Sequence, residues 1–140
     1  MEKDISITTM RERVQCIILQ DNKILFVKDV HAAHYYPPGG SIDEGESHTD
    51  AIARELMEEL GIAVETSSYY FSYEEMNVVH KVPQREHNYF VSISGTPQPD
   101  NEVEDYRWVS WEDIEKESLI LPPDTAHLLM SRLHGDGHLI

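Results

Sequence analysis

Glu55, Glu58 and Glu59 lie within one short stretch, and their spacing decides what three carboxylates can do together. At about 100° per residue, with Glu55 set to zero, Glu58 falls near 300° and Glu59 near 40°, so a helix carries all three on one stripe. Leu56, Leu60, Ala53 and Met57 fall near 100°, 140°, 160° and 200° on the same construction, which predicts an apolar face for the core and an acidic face opposite. One reading is an ordinary amphipathic helix with solvated acids, on which Arg54 and Glu58 form a routine i,i+4 pair. Two facts weigh against it. Glu55 and Glu59 are like charges four apart, and all three acids sit toward the negative end of the helix dipole, so each placement is mildly unfavourable. Hard divalent cations take oxygen ligands, and carboxylates on one rigid face hold Mg²⁺ while leaving positions for water and phosphate. A metal site accounts for the stripe.

Upstream, Pro38-Gly39-Gly40-Ser41-Ile42-Asp43-Glu44-Gly45-Glu46 is a glycine-rich loop that feeds directly into the helix. Such a loop lets backbone groups, those of Gly39 and Gly40 included, approach whatever the carboxylates hold. Ser47 followed three residues later by Asp50 predicts an N-cap, and Gly61 predicts the stop, so the helix is expected over Ser47 to Leu60.

Gly40, five residues, Glu46, seven residues, Arg54-Glu55-Leu56, one residue, Glu58-Glu59, one residue and Gly61-Ile62 together resemble a complete Nudix box. At average residue usage a chance match at one start point has odds on the order of one in a billion. The flanks resemble the family too, with Pro38-Gly39-Gly40 at the start of the box and Arg107-Trp108-Val109-Ser110 with Trp111-Glu112 downstream. The resemblance implies the Nudix fold, a mixed sheet between helices in an α/β/α sandwich. It implies hydrolysis of the diphosphate bond of a nucleoside diphosphate derivative, nucleoside triphosphates and nucleotide sugars included, by water activated on Mg²⁺, with Mn²⁺ as the alternative ion. Carried over by position, it makes Glu55, Glu58 and Glu59 metal ligands, joined by the Gly39 carbonyl. It places Glu46 behind them, paired with Arg54, which orients glutamates. The base comes from the box in some members and from a later loop in others, so Glu55 and Glu104 are both candidates, with Glu102 an equal competitor of Glu104. Arg13, His34 and Gly40 are the expected substrate contacts. Met76 stands where an ADP-ribose enzyme would show proline, and Asn77 to His80 lack the tyrosine of dinucleoside polyphosphate enzymes, so no subclass is selected. A Nudix-fold module that senses a nucleotide without cleaving it is the rival, and such modules usually lose box glutamates that this chain keeps.

The elements that must position these residues follow from patterning. Arg13 to Leu19 and Ile24 to Val27 are rich in β-branched residues and flank the polar turn Gln20 to Lys23, which predicts a hairpin. Strands are expected over Ser68 to Tyr73, Val78 to Val82, Asn88 to Ser94 and Arg107 to Val109. Ser110 with Asp113 opens a short helix, a last helix runs from Asp124 to about Leu133, and His134 to His138 read as a loose tail. Interleaved strands and helices without repeats or linkers predict one α/β domain over residues 1–140.

At 140 residues the chain suits a single core. The formal net charge of −15 repels a phosphate backbone, which argues against nucleic-acid partners and leaves a small nucleotide, drawn in by metal, as the substrate. No apolar run approaches the ~20 residues of a membrane span, and the amino-terminal residues carry no apolar signal core, so a cytoplasmic protein is expected. A homodimer stays open. Cys16 is the only cysteine and sits in an apolar run, where it is expected to be a small buried hydrophobe. Arg11, Arg13, Lys28, Lys81 and Arg85 could line a phosphate path, and His34, Tyr36, Tyr69, Tyr70 and Tyr73 could contact a base or ribose; solvation or core packing is the alternative for each.

Overall fold

The chain crosses from one β-sheet to another within a single residue. In the computed structural model, which describes residues 9–77, 81–116 and 126–140, strand β1 (Arg11–Ile17) belongs to one sheet and β2 (Leu19–Gln20) to another. Ile18 joins them. Ile17 packs into one hydrophobic core and Ile18 into the other, because successive side chains on an extended chain point to opposite faces. The hairpin expected from the sequence is therefore shorter than its apolar runs: β2 pairs with β3 (Lys23–Asp29) around Asp21 and Asn22, while β1 pairs elsewhere. Asp21 and Asn22 have φ of 51° and 59°, the left-handed pair that a two-residue hairpin turn requires.

The larger sheet has the order β4-β1-β6-β5, with β4 Gly39–Ser41, β5 Ala63–Asn77 and β6 Val82–Ser94. β1 runs parallel to β6 and antiparallel to β4, so the sheet is mixed. The smaller sheet, β2-β3-β7 with β7 Val103–Val109, is antiparallel. Strands β5, β6 and β7 are longer than their apolar patterns suggest, since polar residues such as Glu74, Arg85 and Asp105 pair as readily in the ladders. The strand expected over Val78 to Val82 meets the described residues only at its last two positions, Lys81 and Val82, and β6 begins at Val82.

Helix α1 (His48–Leu60) covers one side of the sheets. Its Ala51, Ile52, Leu56 and Leu60 pack with Val14, Cys16, Ile18, Leu25, Val27 and Val91. On the other side a π-helical turn, Ala126–Met130, runs into α3 (Ser131–Gly135) and buries Leu129, Met130 and Leu133 against Ile17, Ile24 and Phe26. The short helix α2 (Trp111–Lys116) opens with a reciprocal cap in which Ser110 N–H donates to Asp113 and Asp113 N–H donates to Ser110 Oγ. The helix start expected at Asp124 lies outside the described residues. Helix, sheets and helix thus form three layers, an α/β/α sandwich.

The residues read as a loose tail are docked. Leu139 is fully buried in the second core, His134 Nδ1 bonds the Leu139 carbonyl, and Asn22 exchanges two hydrogen bonds with the backbone of Ile140. Leu139 supplies the anchor while its neighbour Ile140 stays exposed, and two residues are too few for periodicity to register.

Candidate active site

The ends of α1 are tied down separately. Ser47 is extended at φ −76°, ψ 161° and its hydroxyl accepts the Asp50 amide, while Gly61 leaves the helix at φ 62°. The last four carbonyls all find donors: Met57 from Gly61 N, Glu58 from Asn101 Nδ2 at 2.6 Å, Glu59 from Asp100 N and Leu60 from Gln98 N. Segment 98–101 is thus stitched to the helix end, and it delivers Glu102 beside the box.

The buried arc of α1 differs from the one expected. Ala51, Ile52, Leu56 and Leu60 are buried, whereas Met57 is 53% exposed and Ala53 is exposed as well. On the same helical wheel, Ala51 falls near 320° and Ile52 near 60°, so Glu55 at zero and Glu59 at 40° lie inside the buried arc. They do so because β4 lies against this part of the helix and its two glycines carry no side chains. A Cβ added to Gly40 would stand 2.4 Å from the Glu55 carboxylate, and the Gly39 amide donates to Glu59 Oε1 at 3.2 Å. For Gly39 the contact to a box glutamate runs through its amide.

Arg54 organises the rest. Nε and Nη2 donate to the two oxygens of Glu46, each at 2.8 Å, Nη1 donates to Glu55 Oε1 and Glu58 Oε1, and Nη2 also reaches the Ser41 carbonyl. Glu46 further accepts the Asp43 amide. The Arg54 hydrogen bonds, with that amide second, pull the Glu46 pKa down to about 2. Glu46 and Arg54 form a fixed ion pair, and Arg54 holds one oxygen each of Glu55 and Glu58.

A cleft of about 390 Å³ is lined by Asp29, Glu55, Glu58, Glu59, Asn101, Glu102 and Val103. Five of these seven carry carboxylates, and no lysine or arginine is among them. Burial pushes the Glu59 carboxyl up to about 8, with the Glu55 charge adding to it, and burial also raises Glu55. Glu55, Glu58 and Glu59 each have one oxygen engaged by a protein donor and the other without a hydrogen bond among the described residues. Among the described residues no three acid, imidazole or thiol side chains converge into a ready-made metal cage.

The other candidates divide. Glu104 sits in β7 instead of a loop, is bonded to Lys28 Nζ at 2.8 Å and does not line the cleft; its competitor Glu102 does. Register explains this, because the ladder begins at Val103 and Glu104 falls within the strand. Arg13 lies on β1, bonded to Glu86. His34 is half-buried before β4 and makes no hydrogen bond to the box among the described residues. Arg85 pairs with Glu12 and Glu74, and Lys81 follows β5 at φ 56°. Tyr36 bridges to Val27, and burial, then Asp29 and Glu59, push its hydroxyl up to about 12. Tyr70 bonds Asp136, Tyr73 reaches Gln15, and Tyr69 stays exposed against Tyr89. Cys16 is fully buried, and burial drives its thiol pKa well up. Sequence reasoning misses Asp29 and Asn101. Asp29 ends an apolar strand and looks like a loop residue, whereas Asp100-Asn101 is a readable turn signal, borne by Asn101 at φ 54°.

The family model of the NUDIX domain matches residues 9–129. The Nudix hydrolase YvcI of Bacillus subtilis is 27% identical over 135 residues, covering 94% of this chain and 85% of its own length. Phosphatase NudJ of Shigella boydii is 28% identical over 130 residues, covering 89% of this chain and 84% of its own. The crystal structure of a MutT protein from Methanosarcina mazei superposes with a TM-score of 0.80 at 18% identity, covering 93% of this chain and 97% of that one, a likeness of fold. The chain belongs to the NUDIX family, and with it to the hydrolases of phosphorus-containing anhydrides. No helix among the described residues is long and apolar enough to cross a membrane.

Proposed function

We propose that the chain hydrolyses the diphosphate linkage of a nucleoside diphosphate derivative, a nucleoside triphosphate or a nucleotide sugar, with a divalent cation held at the cleft. One observation carries the reading: three box glutamates with a spare oxygen each line a cleft of five carboxylates in a chain of net charge −15. A hard cation fits these oxygens, and Glu59, which burial makes reluctant to ionise alone, is stabilised as an anion by such an ion. Mg²⁺ in particular is held by one or two carboxylates together with substrate phosphates, which suits a site without a closed cage.

Glu55, Glu58 and Glu59 would hold the ion, with the Gly39 carbonyl beside them. Bound there, it supplies charge neutralisation for the diphosphate and acidity for the attacking water. Arg54 keeps Glu55 and Glu58 aimed, and Glu46 keeps Arg54 in place. Glu55 or Glu102 accepts the proton of the water; Glu102 takes precedence over Glu104, whose carboxylate is engaged with Lys28. Gly40 leaves the room in which the Glu55 carboxylate stands.

A screen of nucleotides and nucleotide sugars with Mg²⁺, with Mn²⁺ and with excess chelator tests the reading. Turnover of a diphosphate compound that stops in chelator is the expected result. Unchanged turnover in chelator, or no turnover of any such compound, would end it.

A further inference from the structure

Glu102 stands in a turn that is tied to two elements of the cleft. Val103 N–H donates to the Asp100 carbonyl at 3.1 Å, which closes a four-residue turn with Asn101 second and Glu102 third. The turn is fastened to the end of α1, where Asp100 N–H donates to the Glu59 carbonyl at 3.0 Å and Asn101 Nδ2 to the Glu58 carbonyl at 2.6 Å. It is also fastened to the end of β3, since Val30 N–H donates to the Glu102 carbonyl at 2.8 Å and Val103 pairs with Asp29. The backbone of Glu102 is therefore fixed relative to Glu58 and Glu59 on the helix and to Asp29 on the strand, and all of these residues line the cleft.

The Asn101 bond goes beyond what a helix end needs. Glu58 and Asn101 are both exposed, and water satisfies an exposed terminal carbonyl at little cost. Asn101 instead enters the left-handed region at φ 54°, while its own amide donates to Asp100 Oδ1 at 2.7 Å. Aspartate tolerates the same backbone, yet an ionised carboxylate has no proton to offer the Glu58 carbonyl. Placing the turn is a better account of this asparagine than capping. Of the candidate bases, Glu55 is held by Arg54 and Glu104 by Lys28, whereas the Glu102 carboxylate makes no hydrogen bond or ion pair among the described residues. Its position depends on the backbone that carries it.

We propose that Asn101 is a positioning residue that, through the Glu58 carbonyl, holds Glu102 beside the box glutamates, where its charge bears on the cation and its oxygens on the attacking water. The proposal rests on the reading of the cleft as a cation-assisted diphosphate site. Its test titrates Mn²⁺ alone into the folded protein and reads the free ion by electron paramagnetic resonance, so affinity is measured without turnover.

Glu102→Gln should weaken Mn²⁺ about fivefold, since a unit charge leaves the neighbourhood of a divalent ion. Asn101→Gly keeps the left-handed backbone and loses the amide. It should weaken Mn²⁺ about threefold, and in metal-free protein the Asp100 and Val103 amides should exchange with deuterium about tenfold faster. The double variant should match Glu102→Gln alone, because Asn101 acts through Glu102. A residue that only capped α1 would reach the ion through Glu58, and its loss would multiply with that of Glu102→Gln. Such a product, native Mn²⁺ affinity in either single variant, or native amide exchange in Asn101→Gly would each overturn the proposal. If the native protein binds Mn²⁺ yet hydrolyses no diphosphate compound, the proposed activity falls while this cycle still decides the role of Asn101. If it does not bind Mn²⁺, this proposal falls with the site.

Discussion

Gly40 and Glu55 share one volume: the space a side chain at position 40 would fill is occupied by the Glu55 carboxylate, 2.4 Å from the site of the missing Cβ. Its neighbour faces something different, because a Cβ on Gly39 would meet the Val14 carbonyl oxygen at 2.1 Å. Gly40→Ala should therefore push aside the end of a flexible side chain, leaving stability within about 1 kcal/mol while lowering the hydrolytic rate about 100-fold. Gly39→Ala must force the β4 and β1 backbones away from each other and should cost roughly 2–4 kcal/mol of stability. Melts and rates of both variants check this, and a Gly40→Ala enzyme of native rate would remove the Glu55 position from the mechanism.

Glu58 is the most exposed of the three box acids, 51% at the side chain, so replacing it disturbs the fold least. Glu58→Gln should lower the catalytic rate by several orders of magnitude, since a charged ligand leaves the reacting centre. A folded variant keeping more than a tenth of the rate, a barrier change under about 1.4 kcal/mol, would exclude Glu58 as a ligand.

The Glu59 carboxyl moves from its ordinary 4.5 up to about 8 in the metal-free fold, through burial first and the Glu55 charge second. Below 4.5 folded and unfolded chains both hold the proton, and the stability contributed by the neutral carboxyl is fully present. Between 4.5 and 8 the unfolded chain has released it and the folded chain has not, so stability declines as pH rises, and above 8 the loss is complete. Metal-free protein should be more stable at pH 5 than at pH 8, by on the order of 1 kcal/mol or more. Glu59→Gln should flatten this slope and raise the metal-free melting temperature at pH 8. Saturating Mg²⁺ should invert that order, since the native site gains more binding free energy than the variant. Parallel shifts of native and variant protein with chelator and with Mg²⁺ would show that Glu59 feels no ion.

Arg54 makes contacts that a lysine ammonium cannot reproduce, two to Glu46 and one each to Glu55, Glu58 and the Ser41 carbonyl. Arg54→Lys should cost roughly 10- to 100-fold in rate, and adding Glu46→Gln should cost little more, because the pair acts as one unit. Independent losses measured in the two single variants and their product would contradict this coupling.

Much of the site is legible in the sequence because its components are local. Spacing places three acids on one helix, Ser47 and Gly61 bound it, and the glycines precede it at fixed distance. What stays hidden depends on which element lies where. A helical wheel assumes that apolar residues face the core, so it sets Glu55 and Glu59 outside, whereas packing against the glycines of β4 turns both inward. Glu104 reads as a loop residue because its strand contains Glu104, Asp105 and Arg107, and a polar strand has no apolar signature. Asn101 reaches the Glu58 carbonyl from 43 positions away, a separation that no local window spans.

The passage of the chain from one sheet to the other at Ile18 bears on how the molecule opens. β1 and β2 are one covalent run, Ile18 O accepts from Leu25 N at 3.0 Å, and Ile17 and Ile18 plug separate cores. Each core also draws side chains from both sheets, Val14 with Leu25 in one and Ile17 with Phe26 in the other, so neither sheet can detach without opening both cores. The backbone amides of β3 and of β6 should therefore exchange with solvent deuterium through one shared global opening, with equal protection free energies in both sheets. Two well-separated protection levels, one for each sheet, would mean that the crossing at Ile18 bends without transmitting the break.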